Sequence, residues 1–389
     1  MELYIFRHSD YLRFYNCTPE IINEMEKFSK HGDSSTPSYH IESFIIILLG
    51  ILSYLFYLPC ICVIWRYSFT QSCYKLFFII ILLGILSYLF YLPCICVIWR
   101  YSFTQSCYKL LLYIGFTDLL NICVCGFLHA FLALQRASFC IYPNLIYFAG
   151  MIGVFLWLAE TTADLILAFN RCLFVVSPSL ARLVFDGKRT YIWLLISSSY
   201  AFYGLSFTPP MIFSPKYFAW FGNPYTGFRN DLADKVYKMP LIITHNFIVA
   251  IVSPSTYLIF SIVMFFKNRA LKVGSNTALT KSEKYTFIQV FIISFLNTSV
   301  AGLYVLMDYL TIIPQWIFTT AGIGCVAELA IHGKLAIHGF PPLIYLTLNK
   351  TIREDTRHAF KIIYKRFKII IGVNNNDNLV HPALTRIKN

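Results

Sequence analysis

The chain has 389 residues, of which 57% are hydrophobic and 13% charged, and its formal net charge is +13. Soluble domains carry about 25% charged residues, so this chain lacks the polar surface of a soluble protein. Its apolar segments are continuous runs of about twenty residues without strand-like alternation. They disfavour a transmembrane β-barrel and predict a polytopic helical membrane protein.

The first 43 residues are polar and mildly acidic and contain no apolar core. We therefore expect no cleaved signal peptide, and the first span would direct membrane insertion. Asn16-Cys17-Thr18 matches the acceptor pattern for N-glycosylation. Residues 1–43 are interpreted as an extracellular N-terminal arm, with Asn16 as its glycosylation site.

The stretch 44–76 recurs letter for letter as 78–110. Working internal repeats drift apart, because each copy occupies a different environment. Identity on this scale indicates either a very recent duplication or an error in assembling the gene, and we favour the error. If both copies insert, the protein gains an eighth span. One of two identical basic loops must then lie outside the cell, against the positive-inside rule.

Counting only the second copy, seven apolar spans follow one another. They lie at about 78–98, 110–134, 145–169, 191–213, 240–266, 285–310 and 316–348. The predicted fold is an all-α, seven-transmembrane helix bundle over residues 77–348. A smaller repeat, Leu329–Gly333 and Leu335–Gly339, lies in the last span. Its six extra residues rotate the helix faces by about 240°, so we interpret it as an inserted segment.

Basic residues concentrate in alternate loops, at 99–109, 170–190 and 267–284, and in the tail 349–389. The positive-inside rule places these segments in the cytoplasm and the N-terminus outside. A nucleic-acid partner is not expected, because it would need a soluble basic surface. Apolar and basic residues interleave in the tail at near-helical spacing, which predicts an amphipathic helix on the inner leaflet of the lipid bilayer.

Short motifs follow one another from Tyr15 to about Arg353. They include Tyr15-Asn16-Cys17, Tyr91-Leu92-Pro93-Cys94, Cys140-Ile141-Tyr142-Pro143, Asn170-Arg171-Cys172, Gly187-Lys188-Arg189-Thr190-Tyr191 and Asn349-Lys350-Thr351-Ile352-Arg353. In this order and spacing the chain resembles the nematode chemosensory receptors called serpentine receptors, class T. The resemblance implies a seven-helix G-protein-coupled receptor of the plasma membrane. It would bind a small odorant- or pheromone-like ligand and activate a heterotrimeric G protein.

The same resemblance assigns a switch to the cytoplasmic side. Arg171 stands where related receptors carry an arginine at the end of the third helix, with Asn170 in place of the usual acidic residue. Tyr345, after Pro341 and Pro342, resembles the proline–tyrosine switch of such receptors, although the preceding asparagine is absent. The alternative for Arg171 is an arginine that only snorkels to the membrane interface.

Three carboxylates lie inside predicted spans: Asp118, Glu160 and Asp164. A charge at the bilayer centre costs roughly 2.5–3.5 kcal/mol, so such residues usually face the bundle interior. Glu160 and Asp164 are four residues apart and share one helix face. The resemblance matches Asp118 to an aspartate in an ion- and water-filled core, and we predict a polar core that rearranges on activation. A transporter-like proton site, or acids paired to polar groups such as Asn121, stay as alternatives.

The resemblance also bears on the cysteines. In the seven-span topology Cys17 and Cys140 lie on the oxidising side. Related receptors tie the third helix to the following extracellular loop, but here the loop 214–239 has no cysteine. We predict a Cys17–Cys140 disulfide, the alternative being two free cysteines.

The sequence contains no Gly-rich phosphate loop and no nucleophile elbow, and His332 and His338, six residues apart, do not form a metal pair. We therefore predict no enzymatic activity, no metal site and no cofactor. An ion-coupled transporter that uses the intramembrane carboxylates is the alternative function. The internal symmetry typical of many transporters is missing from the sequence.

Overall fold

The computed structural model describes residues 1–31, 87, 89–103, 105–216, 219–228, 237–274, 281–310 and 337–370. The first copy of the duplication, 44–76, lies outside these residues. So do 316–336 of the predicted seventh span and 371–389 of the predicted tail.

Nearly all described elements are helices. In chain order they are α1 (Glu2–Ile5), α2 (His8–Phe14), α3 (Pro19–His31), α4 (Leu89–Ser102), α5 (Ser106–Asn121), a π-helical segment (Ile122–Leu128), α6 (His129–Leu134), α7 (Pro143–Val176), α8 (Pro178–Phe185), α9 (Arg189–Phe207), β1 (Ile212–Ser214), β2 (Ala219–Phe221), α10 (Pro240–Gly274), α11 (Lys281–Leu310), α12 (Pro341–Leu348) and α13 (Lys350–Ile370). The predicted helical fold class is confirmed, with one small hairpin that the sequence did not predict.

Within the described residues, three helices are long and apolar enough to cross a membrane: Ser106–Ala133, Pro143–Val176 and Pro240–Phe266. Two shorter apolar helices, Leu89–Ser102 and Phe291–Leu306, lie where the first and sixth spans were predicted. Within the described residues, three of the predicted apolar runs therefore form helices of membrane length.

The helix of the third predicted span, α7, continues beyond the predicted end of that span. It runs to Val176, so Arg171 lies within the helix, a little over one turn before its end. The helix stops where Pro178 follows, because proline disfavours helical backbone at the preceding residue. Ser177 then caps α8, its Oγ accepting from Leu180 N at 3.4 Å.

The fourth apolar helix, α9, ends at Phe207 instead of the predicted 213. Pro209 and Pro210 follow, and prolines cannot continue a helix because they lack the N–H donor. The chain instead enters an antiparallel hairpin in which Ile212 pairs with Phe221. Gly150 of α7 lies against this hairpin, where a Cβ would stand 1.7 Å from the Met211 carbonyl oxygen. Only glycine allows this approach.

The helix of the second predicted span is interrupted between α5 and α6 by the π-helical segment Ile122–Leu128. A π turn accommodates one extra residue and changes which face the following side chains occupy. Beyond it, His129 Nδ1 accepts from Trp220 Nε1 at 3.1 Å, and its ring packs edge-on against Phe213 at 5.2 Å. The π segment thus connects the middle of the bundle to the hairpin.

The bundle has two ends, which we call the arm end and the tail end. At the arm end, rings of the N-terminal segment, including Tyr11 and Tyr15, pack around Tyr147 of α7. At the tail end, α13 is held by the Tyr101 hydroxyl, which donates to Asp355 Oδ2 at 3.0 Å, and by Ile352, which is fully buried. Each end has its own hydrophobic cluster, and along α7 the buried Glu160 falls between Ala159 of one cluster and Ala163 of the other.

Candidate functional site

The centre of the bundle holds two carboxylates and an imidazole. Asp118 of α5 and Glu160 of α7 are buried, with 0% and 1% of their surface exposed. His338, from the helical residues just before α12, lies between them. Its Nδ1 is 3.0 Å from Asp118 Oδ1 and 2.8 Å from Glu160 Oε2. The structure therefore brings together two of the three predicted core carboxylates, through a histidine that the sequence analysis had set aside.

Two further side chains orient these carboxylates. The Tyr91 hydroxyl of α4 donates to Asp118 Oδ2, and Asn121 Nδ2 donates to Glu160 Oε2 at 3.0 Å. Hydrogen bonds of this kind satisfy the acceptor oxygens that burial removes from water. Asn121 thus has the pairing role that the sequence analysis left open, while Tyr91 had been noted only as part of a motif.

The third predicted carboxylate, Asp164, lies one turn further along α7 and has a different partner. Asn297 Nδ2 of α11 donates to Asp164 Oδ2 at 2.7 Å. Asp164, Asp118 and Glu160 nevertheless line one narrow cavity, together with Asn297 and Tyr345. The cavity joins the predicted polar core to one predicted switch residue.

On another side, hydrogen bonds join α7 to α10, and α10 in turn to α9. The Thr161 hydroxyl lies 2.6 Å from the Trp157 carbonyl and 2.7 Å from His245 Nε2, and Tyr200 lies 3.2 Å from His245 Nδ1. A hydroxyl has one hydrogen to donate. If Thr161 gives it to the carbonyl, His245 Nε2–H donates to Thr161 and Nδ1 accepts from Tyr200. With a neutral imidazole, each of these donors and acceptors then has a hydrogen-bond partner.

The predicted switch residues occupy different surroundings. Tyr345 is buried beside the carboxylates, whereas Arg171 is half-buried near the Tyr108 hydroxyl, with the side chain of Asn349 also beside that hydroxyl. Among the described residues Arg171 makes no ion pair. Asn170 is fully buried, and neither of its amide atoms has a hydrogen-bond partner within the described part of the chain.

At the arm end, the sulfurs of Cys17 and Cys140 lie 2.09 Å apart, and their Cα atoms 5.6 Å apart. The neighbouring Asn16 side chain is exposed, while its carbonyl accepts from the Tyr225 hydroxyl at 2.7 Å. Tyr15 lies beneath this segment, where burial, and then the neighbouring tyrosines, raise the pKa of its hydroxyl well above the usual value.

Sequence reasoning missed several members of the polar core. His338 was considered only with His332, its neighbour in the repeat, whereas its partners come from two other helices. Asn297 and His245 gave a usable signal, since each is a polar side chain in the middle of an apolar span. The sequence analysis predicted that the three carboxylates face the bundle interior, but not which side chains they would meet.

Comparison with known proteins identifies the family. The family model described as serpentine type 7TM GPCR chemoreceptor Srt matches residues 78–369. The chain is also 25% identical, over 262 residues, to serpentine receptor class T-55 of Caenorhabditis elegans, covering 67% of each chain. The matched range begins at the first residue of the second copy of the duplication. The predicted resemblance is confirmed: the chain belongs to the Srt family of serpentine seven-transmembrane chemoreceptors, a family of multi-pass membrane receptors and not of enzymes.

Proposed function

We propose that this chain is a chemosensory receptor of the plasma membrane that binds a small extracellular ligand and activates a heterotrimeric G protein. Its bundle would comprise seven spans over residues 77–348, counted from the second copy of the duplication. The arm 1–43 would lie outside the cell and the tail 349–389 inside. The family match begins at residue 78 and supports counting a single copy.

One observation carries this proposal: α7 is joined by buried hydrogen bonds to helices on several sides. Glu160 contacts His338, Thr161 contacts His245 of α10, and Asp164 contacts Asn297 of α11. A bundle held by such polar contacts can exchange partners between two packed arrangements, which is how small shifts at one site become helix movements elsewhere. A ligand that binds one arrangement better would shift the population toward it.

The tail end offers a surface for the G protein. Helix α8 buries Phe185, whose ring stacks on Trp193 at 5.4 Å, and exposes Leu180 and Leu183. Lys109 Nζ donates to the Gly187 carbonyl at 2.6 Å and fixes the end of this segment. A firmly packed helix with exposed apolar side chains, following directly on the helix that carries Arg171, suits a docking role. Arg171, Asn170 and Tyr345 are proposed as the switch.

The arm is proposed to be pinned by a Cys17–Cys140 disulfide and glycosylated at Asn16. The 5.6 Å separation of the two cysteine Cα atoms supports the first assignment, and the exposure of Asn16 supports the second. On the opposite face, α13 would lie on the inner leaflet of the bilayer, with Phe360 and Tyr364 exposed to it.

The test is nucleotide exchange on a heterotrimeric G protein in cells that express the full chain, challenged with a panel of small organic compounds. At least one compound is expected to raise exchange over mock-transfected cells. Arg171→Ala should abolish the response, whereas Arg13→Ala, an exposed arginine of the N-terminal arm, should leave it unchanged. If both variants respond like the wild type, Arg171 is not the switch.

An ion-coupled transporter is the second candidate, because three carboxylates line one buried cavity. Purified protein in liposomes distinguishes the two functions. A transporter would carry protons or sodium across the membrane, and Asp118→Asn would stop that flux. The receptor proposal predicts no flux above protein-free liposomes.

A further inference from the structure

Three groups that commonly ligate metals converge in the centre of the bundle. Asp118 Oδ1, Glu160 Oε2 and His338 Nδ1 all lie within 4.8 Å of one another, and all three residues are buried. They come from α5, from α7 and from the helical residues before α12. We infer that these side chains form a binding site for one divalent transition-metal ion of the Zn²⁺ type.

The charge of the cluster favours a dication. Two carboxylates face each other in the membrane interior, and His338 is the basic side chain that bridges them in the described structure. An imidazolium would balance only one of the two negative charges. A dication bound to both carboxylates and a neutral imidazole leaves the site without net charge, which is the arrangement that a low-dielectric interior tolerates best.

The donor set selects the kind of metal. Mg²⁺ and Ca²⁺ prefer oxygen ligands, whereas Zn²⁺ combines histidine nitrogen with carboxylate oxygen. Ligand atoms around a tetrahedral zinc with bonds of about 2.0–2.1 Å lie about 3.3 Å apart. The two distances from His338 Nδ1, 2.8 and 3.0 Å, need to widen by only a few tenths of an ångström when the metal replaces the bridging proton.

The surroundings supply what a metal site needs beyond its ligands. Tyr91 and Asn121 donate to the two carboxylates and fix their orientation. Both carboxylates border the narrow cavity, which leaves room for a water molecule as a further ligand. Asn297 lines the same cavity, is 2% exposed, and its Oδ1 has no hydrogen-bond partner among the described residues. That oxygen is positioned to accept a hydrogen from such a water.

The site is tested by binding alone, independently of signalling. Full-length protein in lipid nanodiscs is stripped with EDTA, equilibrated with ZnCl₂, desalted and analysed for zinc by mass spectrometry. We expect one zinc per chain and a raised melting temperature. His338→Gln should weaken zinc binding by about 100-fold, and Asn121→Ala, which leaves the ligands in place, by about 10-fold. The matched control His358→Gln, an exposed histidine of α13, should bind like the wild type.

A second measurement does not depend on whether the variants fold. Co²⁺ bound to the wild-type protein should show the visible absorption of a four-coordinate nitrogen–oxygen site, and added Zn²⁺ should remove that absorption. The inference is overturned if the wild-type protein retains no stoichiometric zinc, or if His338→Gln retains as much as His358→Gln. It is also overturned if NaCl or MgCl₂ gives the same melting shift as zinc, because the imidazole then plays no part.

Discussion

Replacing Cys17 by serine would remove the proposed Cys17–Cys140 disulfide, which ties the N-terminal arm to the bundle. The bond closes a loop of 123 residues, for which the chain-entropy relation gives about 5 kcal/mol. Measured values are commonly about 2–4 kcal/mol. Other contacts remain, including hydrogen bonds from Tyr225 and Tyr237 to the Phe14 carbonyl. We therefore expect the arm to open more often while the bundle stays folded.

Limited proteolysis measures this opening. Arg13 is exposed, but the peptide bond after it adjoins the hydrogen-bonded Phe14 carbonyl, so trypsin should cut there only when the arm opens. When opening is fast, the cleavage rate follows the open population. A loss of 2–4 kcal/mol corresponds to a rate about 30- to 700-fold higher, since each 1.4 kcal/mol is tenfold. Cleavage after the exposed Lys361 of α13 is the internal reference.

The variants form an informative set. Cys140→Ser and the double variant should match Cys17→Ser, because the bond is absent in all three and the effects cannot add. Cys96→Ser, which removes an exposed free cysteine, should behave like the wild type. Equal cleavage rates in Cys17→Ser and the wild type would refute the reasoning, and so would an additive double variant.

Two further predictions concern topology and packing. Asn16→Gln should lower the apparent mass by one glycan. Asn349→Gln, in the acceptor pattern Asn349-Lys350-Thr351, should change nothing, because the proposed topology places that end in the cytoplasm. Gel mobility with and without glycosidase decides, and the opposite pattern would invert the proposed topology. Trp157→Phe removes the donor of the 2.9 Å hydrogen bond to the buried Asn246 Oδ1, at a cost of about 1–3 kcal/mol. The melting temperature of this variant in detergent should be lower than that of the wild type. Trp99→Phe, at an exposed tryptophan, should melt like the wild type. Equal melting temperatures of the two variants would show that the buried hydrogen bond contributes nothing to stability.

The predictions from sequence agree best with the structure where the sequence pattern has a strong physical cause. Long apolar runs locate helices reliably, because only helices and closed barrels satisfy the backbone inside a bilayer and these runs lack the alternation of barrel strands. Their ends are less well predicted: α7 runs past Arg171 to Val176, and α9 stops before Pro209. Capping and proline geometry decide such boundaries over one or two residues. The hairpin at Ile212–Phe221 begins within the apolar run predicted as the fourth span, where hydropathy does not distinguish a short strand from the end of a helix.

The polar core shows which features follow from the sequence and which depend on the tertiary structure. The sequence by itself predicted that Asp118, Glu160 and Asp164 face the bundle interior, since a charge facing lipid is too costly, and that the last two share a helix face. Only the tertiary structure decided that Asp118 and Glu160 meet through His338 while Asp164 turns to Asn297. Partners on different helices are set by rotation and translation of whole helices during packing, and the periodicity of a single helix does not encode these movements.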